Sequence, residues 1–541
     1  MPRQKRNENQ SGGKPPVSKG VETLPVGQTS HLQCHIHDKV VDFEVNDIRQ
    51  NVCVTPEVIR HTDDKYYCLF HLPTKEKDIA KFEEVFKERL KAIEEKIAEI
   101  EKLPEDEREF ARSKVSYDFH FVWFPSKVVF KNYKFSARSN FILATFSAST
   151  FFDSTTFSAN TDFSSATFSD EADFSRSTFS AEADFSRSIF SADAGFTAAT
   201  FSANTNFISA IFSANAYFRS AIFSDEADFK SATFSDYAYF SSTTFSADAY
   251  FSKATFEEKS RIFFMETKFS GRLFFSRANF KGNVELEGNQ GNRLFIGEKA
   301  LLDLQNVRID DQKKISFHSV RLEPSWFINT NASEFVFTDC KWNYTDGKRL
   351  NVKKELRNLK NRKIENPYAL LTKACWQLAD NYEESKSFTN ASLFRKFANE
   401  SKRLETAWYR QLFTLHWWYY AVSFYGENWR QAFAVLLGIL ALFGLFYFLP
   451  ISNFDYGEVK EEAVLVDLIE KESDWTKAHD ARFHKMDLGE GIVHSLYVAA
   501  LQRPEPKPAD TQTKFFVILE TIFAPLQVAL LALAIRRKFM R

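Results

Sequence analysis

Ala172–Phe196 reads ADFSRSTFSAEADFSRSIFSADAGF, with phenylalanine at 174, 179, 185, 190 and 196. The steps alternate five and six, so the period is 11. The pattern runs from Phe135 to Phe256, and stepping backward lands on Phe130, Phe124 and Phe119. Forward, two extra residues separate Phe256 from Phe264, after which Phe269, Phe275 and Phe280 resume the alternation. Two residues before each ring from Phe141 to Phe256 stands Ala, Ser or Thr, as at Ala144, Thr150, Thr155, Ala166, Ala172 and Ser177. Positions i and i−2 share one side of an extended segment. Each segment therefore offers one large ring and one small residue to the same side. The five-residue step, which would place successive rings about 140° apart, argues against a helix, and the Ser, Thr and Asp content disfavours one. The arrangement that fits is a β-solenoid, with a corner after each segment and Phe stacked on Phe at the roughly 4.8 Å spacing of paired strands. Four segments per coil give about seven coils for the regular array, and every one of these rings is expected in the core.

These residues resemble the pentapeptide-repeat family, whose A-(D/N)-(L/F)-x-x unit builds a right-handed quadrilateral β-helix. Alternate units here carry a sixth residue, as in Phe-centred members. The resemblance implies a mainly β fold, with the solenoid over 116–345 and its regular core over 119–280. Some members of the family are acidic mimics of duplex DNA that bind topoisomerase. Ser139–Phe256 holds 13 acidic and 5 basic residues, and Arg176, Arg187 and Arg219 interrupt the acidic face. A DNA-mimic regulator is accordingly the third reading.

Composition points the same way. Phe accounts for 59 of 541 residues, beside 17 Gly and 4 Met, an excess that signals a repeat. The 70 Lys+Arg against 71 Asp+Glu leave a formal charge of −1, without the basic excess of a nucleic-acid binder, and none is expected as a partner. Five Cys in so long a chain are not a disulfide framework. The opening MPRQKRNENQ has no apolar h-region, so no cleavable signal peptide is expected. No nucleophile–base pair, HExxH, phosphate-cradling Gly loop or paired carboxylates stand out, and the chain is not expected to be an enzyme.

Ahead of the repeat, residues 1–30 read as a disordered tail and 31–74 as a Cys/His module. Cys34, Cys53, Cys68 and His71 are the expected ligands of a structural Zn2+, with His37 the substitute for Cys53. Cys68-x-x-His71 has zinc-ligand spacing, and four such ligands leave no open position for catalysis. The alternative is that Cys53 and Cys68 are buried small side chains among Val52, Val54, Leu69 and Phe70. The segment, ending YC-x-FH-x-P, resembles small Cys/His modules found ahead of pentapeptide repeats. Residues 75–115 carry a charged amphipathic helix, read as continuous from Lys75 to about Arg112, fit to cap the solenoid's open end.

Behind the repeat, 346–413 is a basic segment followed by two antiparallel helices. Asn381–Glu384 and Ala391–Phe394 resemble the helical hairpin that follows β-helices in membrane-bound pentapeptide proteins. The last region, 414–541, contains two apolar stretches, 432–450 without charge and 515–535 interrupted by Glu520 and Gln527, each long enough to cross a bilayer. Trp417, Trp418, Tyr419, Tyr420 and Trp429 form an aromatic belt ahead of the first. The 451–513 loop has 13 acidic and 7 basic residues, whereas Arg536, Arg537, Lys538 and Arg541 close the second span. The positive-inside rule then places both termini in the cytoplasm of a two-span protein of the inner cell membrane. Within the loop, 488–502 is an apolar helix too short to span. Span, short helix, span is a two-span pore-loop layout, and PLQVALLALAIRRKF resembles the ion-channel-like C-terminal module of some pentapeptide proteins. The chain has no Gly after Gly491, which excludes a potassium filter built from a Gly-containing carbonyl loop.

An ionisable group within a span is costly and usually faces a bundle interior or water. Glu520, Ala524 and Gln527 share one helical face and are expected to line a pore or hold oligomers together, with His494, Ser495, Gln502 and Arg503 as pore-loop residues; the alternative is that Glu520 sits shallow and snorkels or pairs with Lys514. The leading expectation is a homo-oligomeric, ion-conducting or gated pore with a cytoplasmic solenoid that senses a protein partner. Its rival is a non-conducting scaffold anchored to the lipid bilayer.

Overall fold

The computed structural model describes residues 58–60, 66–73, 77–288, 295, 300–309, 315–342, 351–449, 452, 454–455, 486–502 and 506–539. They form two compact units, the first ending in the solenoid and the second holding Leu322–Phe335 and everything from Trp342 on.

The first unit is a four-sided β-solenoid. One coil runs through Ala172–Asp173, Thr178–Phe179, Ala183–Asp184 and Ile189–Phe190, and the next begins at Ala194–Gly195 stacked in parallel on the first strand. The coil is thus 22 residues, two periods of 11. Among the described residues the four parallel sheets contain 7, 9, 9 and 10 strands. The stack is longer than the seven coils of the regular array because the less regular chain up to Thr338 continues the same sheets.

The rings stack as columns. Phe141 lies 4.6 Å over Phe163 and Phe146 4.8 Å over Phe168, each pair with nearly parallel planes. The small residue two places earlier is equally buried. Where it is Ser or Thr its hydroxyl donates inside the core, Ser177 Oγ to the Phe174 carbonyl at 2.6 Å and Thr155 Oγ1 to that of Phe130 at 2.7 Å. A buried hydroxyl is tolerated because it is paired.

Two kinds of corner explain the five/six alternation. The five-residue step holds a left-handed residue, Arg176 at φ 57° and Arg187 at φ 56°, and the position recurs every 11 residues from Phe121 to Lys253. The turn closes from Ser177 N–H to the Phe174 carbonyl at 3.1 Å. Asp173 Oδ1 accepts from Ser175 N–H at 2.8 Å, as Asp162, Asp184 and Asp228 do from the residue two places on. That is the purpose of Asp in the A-D-F triplet: it fixes the tight corner. The six-residue step uses its extra residue to turn without leaving the favoured backbone region. Left-handed backbone costs an L-residue about 1–2 kcal/mol, more than the roughly 0.5–1 kcal/mol that Gly loses in entropy. Ala198→Gly, at φ 56°, should therefore stabilise the solenoid by about 0.5 kcal/mol. Ala199→Gly, at a buried small-residue position, should destabilise it. Denaturant midpoints of the two variants check the opposite signs.

The expected single helix ahead of the array is two, α1 (Ile79–Ile100) and α2 (Glu105–Ser113). Pro104 separates them, since it cannot donate a helical hydrogen bond and disfavours helix at Leu103. Helix α1 sets Phe82 and Phe86 against the rings of Phe119, Phe124 and Phe130, covering the first coil.

The second unit is helical. After α3 (Val352–Asn361) come α4 (Pro367–Glu384) and α5 (Phe388–Glu405), an antiparallel hairpin. Its Asn381 donates to the carbonyls of Ala332, Ser333 and Phe335, while Tyr382 and Phe394 pack on Trp342. Then follow α6 (Trp408–Gln411), α7 (Leu415–Ser423), α8 (Trp429–Phe448), α9 (Leu488–Ala499) and α10 (Thr511–Phe539). Two of these, α8 and α10, are long and apolar enough to cross a membrane, each with a mean hydropathy of 2.1 over its most apolar window.

Candidate functional site

Helix α9 lies against both α8 and α10. Two glycines allow the approach: a Cβ on Gly491 would sit 2.6 Å from the Gly444 carbonyl oxygen, and one on Gly444 would press on Ile492. Small residues at such a crossing let helix backbones come close. Asp487 opens α9 with a capping box shared with Glu490. Leu501, at φ 58°, closes it one turn before the expected end, with Gln502 N–H reaching the Tyr497 carbonyl.

The close packing brings four polar groups together. Glu520 of α10 is fully buried, its carboxylate accepting from the Ser495 hydroxyl of α9 and, at 2.5 Å, from the Tyr447 hydroxyl of α8. One carboxylate thus ties all three helices. His494, next to Ser495 in sequence, is buried, its ring 5.1 Å from that of Tyr447 and 5.0 Å from that of Phe454. Neither of its ring nitrogens has a hydrogen-bond partner among the described residues. Phe443, Phe454 and Met486 enclose the group in apolar side chains. Tyr447 was not anticipated: within an apolar stretch, a Tyr reads as one more aromatic.

Ala524 and Gln527 continue the buried face of Glu520. The Gln527 amide donates to the carbonyls of Ala432 at 2.7 Å and Val422 at 3.0 Å, fastening α10 to α7 and α8. Within one chain, the polar stripe of α10 therefore faces its own neighbouring helices. Gln502 is exposed, and Arg503 lies outside the described residues.

A second cluster sits where α10 ends. Glu427, its side chain 2% exposed, accepts from Arg395 Nε of α5 at 2.9 Å, from Arg537 Nη1 of α10 at 3.0 Å and from the Ser392 hydroxyl at 2.6 Å. Arg395 also reaches Glu383 of α4 at 2.8 Å. The turn that presents Glu427 has three successive left-handed residues, Phe424, Tyr425 and Gly426, at φ 49°, 63° and 69°. Two non-glycine residues in that region are strained unless their surroundings hold them. Arg537 does so, donating to the Tyr425 carbonyl at 3.1 Å, and the Tyr425 hydroxyl reaches Glu400 at 3.2 Å.

Of the expected zinc ligands, Cys34 and Cys53, with the substitute His37, lie outside the described residues. Cys68 Sγ is 3.1 Å from His71 Nδ1, and His71 Nε2 is 3.3 Å from the His120 carbonyl oxygen. A ring with one nitrogen toward a thiol and the other held by a carbonyl suits a metal-ligating histidine. Lys77 donates to the carbonyls of Leu69, Phe70 and Trp123, and burial pushes its ammonium down to about 7 against the opposing pull of Cys68. Among the described residues no group of three or more His, Cys, Asp or Glu is gathered as for a metal. Burial pushes the Cys340 thiol up to about 12 and raises that of Cys375, so neither is a thiolate at neutral pH.

Comparison with known proteins found no family model, no curated protein and no solved structure that matches the chain.

Proposed function

We propose that the chain is a pentapeptide-repeat membrane protein whose two spans and intervening short helix form an ion-conducting or gated module, assembled as a homo-oligomer in the inner cell membrane. Both termini and the solenoid face the cytoplasm, where the solenoid meets a protein partner. The observation that carries the reading is the Glu520 carboxylate, buried among three apolar helices and held by Ser495 and Tyr447. A carboxylate at membrane depth is retained against its cost where ions or protons pass. A non-conducting anchor is the second reading. It is favoured by Gln527, whose amide is spent on carbonyls of its own chain rather than held for a pore.

Ion flux through the purified protein in liposomes separates the two. Conduction predicts flux in the wild type, and a change of about tenfold in Glu520→Gln, equivalent to about 1.4 kcal/mol on the barrier. Silence in both, persisting when the solenoid is deleted, establishes the anchor. We also propose a structural Zn2+ held by Cys34, Cys53, Cys68 and His71, with His37 in reserve. Metal analysis of the full chain should find stoichiometric zinc that is lost in Cys68→Ser; a zinc-free wild type would remove this element.

A further inference from the structure

A cavity of about 1060 Å³ opens in the helical unit, lined by the start of α3, the outer face of α5, the end of α7 and the first turn of α8. Three cations line it, Lys353, Lys396 and Arg430, with the rings of Tyr420, Phe424 and Trp429. Its acids are Glu400 and Glu427. Each is already bound by arginines outside the lining, Glu400 by Arg403 at 2.6 Å and Glu427 by Arg395 and Arg537. Among the described residues Lys353 and Arg430 form no ion pair, so the charge that these two bring to the cavity is positive, with Lys396 set against the Phe424 ring beside them.

Its depth is set by the sequence. Trp429–Gln431 form the first turn of α8, and the uncharged run begins at Ala432. Beside it, the turn between α6 and α7 exposes Phe413 at 89%, and α7 exposes Leu415 at 86% and Trp418 at 57%. Large apolar side chains so open to solvent belong at the headgroup–acyl boundary, where Trp and Tyr concentrate. The cavity thus combines cations, ring faces and a position at the bilayer surface. Two helices, α3 and α8, also begin at its wall, Asn351 capping one and Asn428 the other. Their positive ends reinforce the same preference.

We propose that this cavity binds the phosphate headgroup of an anionic phospholipid, with Lys353, Lys396 and Arg430 meeting the phosphate and the acyl chains lying along α8. The proposal rests on the membrane placement of α8 and α10 proposed above and is independent of conduction.

The test uses the full chain in detergent, with lipid retention followed by native mass spectrometry. Wild type should retain phosphatidylglycerol over phosphatidylcholine by tenfold or more, since each nearby cation contributes about 1 kcal/mol. The triple variant Lys353→Gln/Lys396→Gln/Arg430→Gln should lose the preference, while the charge-preserving Lys353→Arg/Lys396→Arg/Arg430→Lys keeps it. If the triple variant does not fold, Arg430→Gln alone, at an exposed position, should reduce the preference. Equal retention of the two lipids by wild type, or an undiminished preference in the neutralised variants, overturns the proposal. Glycerol 3-phosphate or inorganic phosphate competing as well as the lipid would show a soluble phosphate to be the ligand, and would overturn the lipid assignment.

Discussion

Phe185→Ala should destabilise the solenoid by about 3–5 kcal/mol, the usual cost of removing a buried ring. Phe185 is wholly buried, stacked 5.1 Å from Phe163 and 4.9 Å from Phe207 in its own column. It also meets Phe174 at 5.4 Å, Phe196 at 5.5 Å and Phe179 at 5.8 Å edge-on from neighbouring columns. Losing the ring leaves a void on all these sides, and a close-packed stack cannot relax to fill it without moving the coils above and below. Each coil touches only its neighbours, so a weakened interface in mid-array divides the stack. Denaturant unfolding should show a lower midpoint, with a second transition if the two parts come apart. Ile189→Ala, four residues away but on the outer face and 37% exposed, should cost about 0.5 kcal/mol or less. Equal costs at the two positions would refute the assignment of inside and outside.

Glu427→Leu should cost the helical unit about 3–5 kcal/mol, because it strands partly buried arginines that share one carboxylate. The side chain accepts from Arg395, Arg537 and Ser392, and Leu can satisfy none of them. Arg395 retains Glu383, whereas Arg537 keeps only the Tyr425 carbonyl among the partners described above. The left-handed turn at Phe424–Gly426 would lose part of the framework that holds it. Glu427→Gln keeps an acceptor and should cost less than Leu. Thermal unfolding in detergent checks the order wild type, Gln, Leu. If Leu is as stable as wild type, the cluster contributes nothing to joining the hairpin to the end of α10.

The solenoid was legible because its information is local and repeated: the ring, the small residue two places before it, and the five/six step are all visible in Ala172–Phe196. The left-handed corner was not, since from Ser154 to Lys253 it is occupied by Ser, Arg, Ala and Lys, and Asn132 is the one position of the series from Phe121 to Lys253 with a residue that would have signalled it. The apolar helices were legible from hydropathy, and Glu520 stood out as the charge among them. Its partner Tyr447 was hidden, being 73 residues away and aromatic among aromatics. Gly444 and Gly491 were hidden likewise, because a glycine's importance depends on what lies opposite it. Glu427 was the least legible. Nothing in Tyr425–Arg430 says that its carboxylate will meet Arg395 and Arg537, 32 residues before it and 110 after.

The coil also governs how such a chain can change by inheritance. A duplicated or deleted block of 22 residues returns every later side chain to the same sheet, altering only the stack's length by about 4.8 Å, the spacing of Phe157 on Phe179. A block of 11 would carry each later segment to the opposite sheet and exchange the surfaces it displays. The array already records a smaller event. Phe223 pairs with Phe245 at an offset of 22, but Phe245 pairs with Phe269 at 24, so two added residues were taken up at a corner while the rings kept their columns. Corners absorb insertions and strands do not. Lineages of this protein can therefore lengthen by whole coils and decorate its corners, while the phenylalanine columns stay fixed.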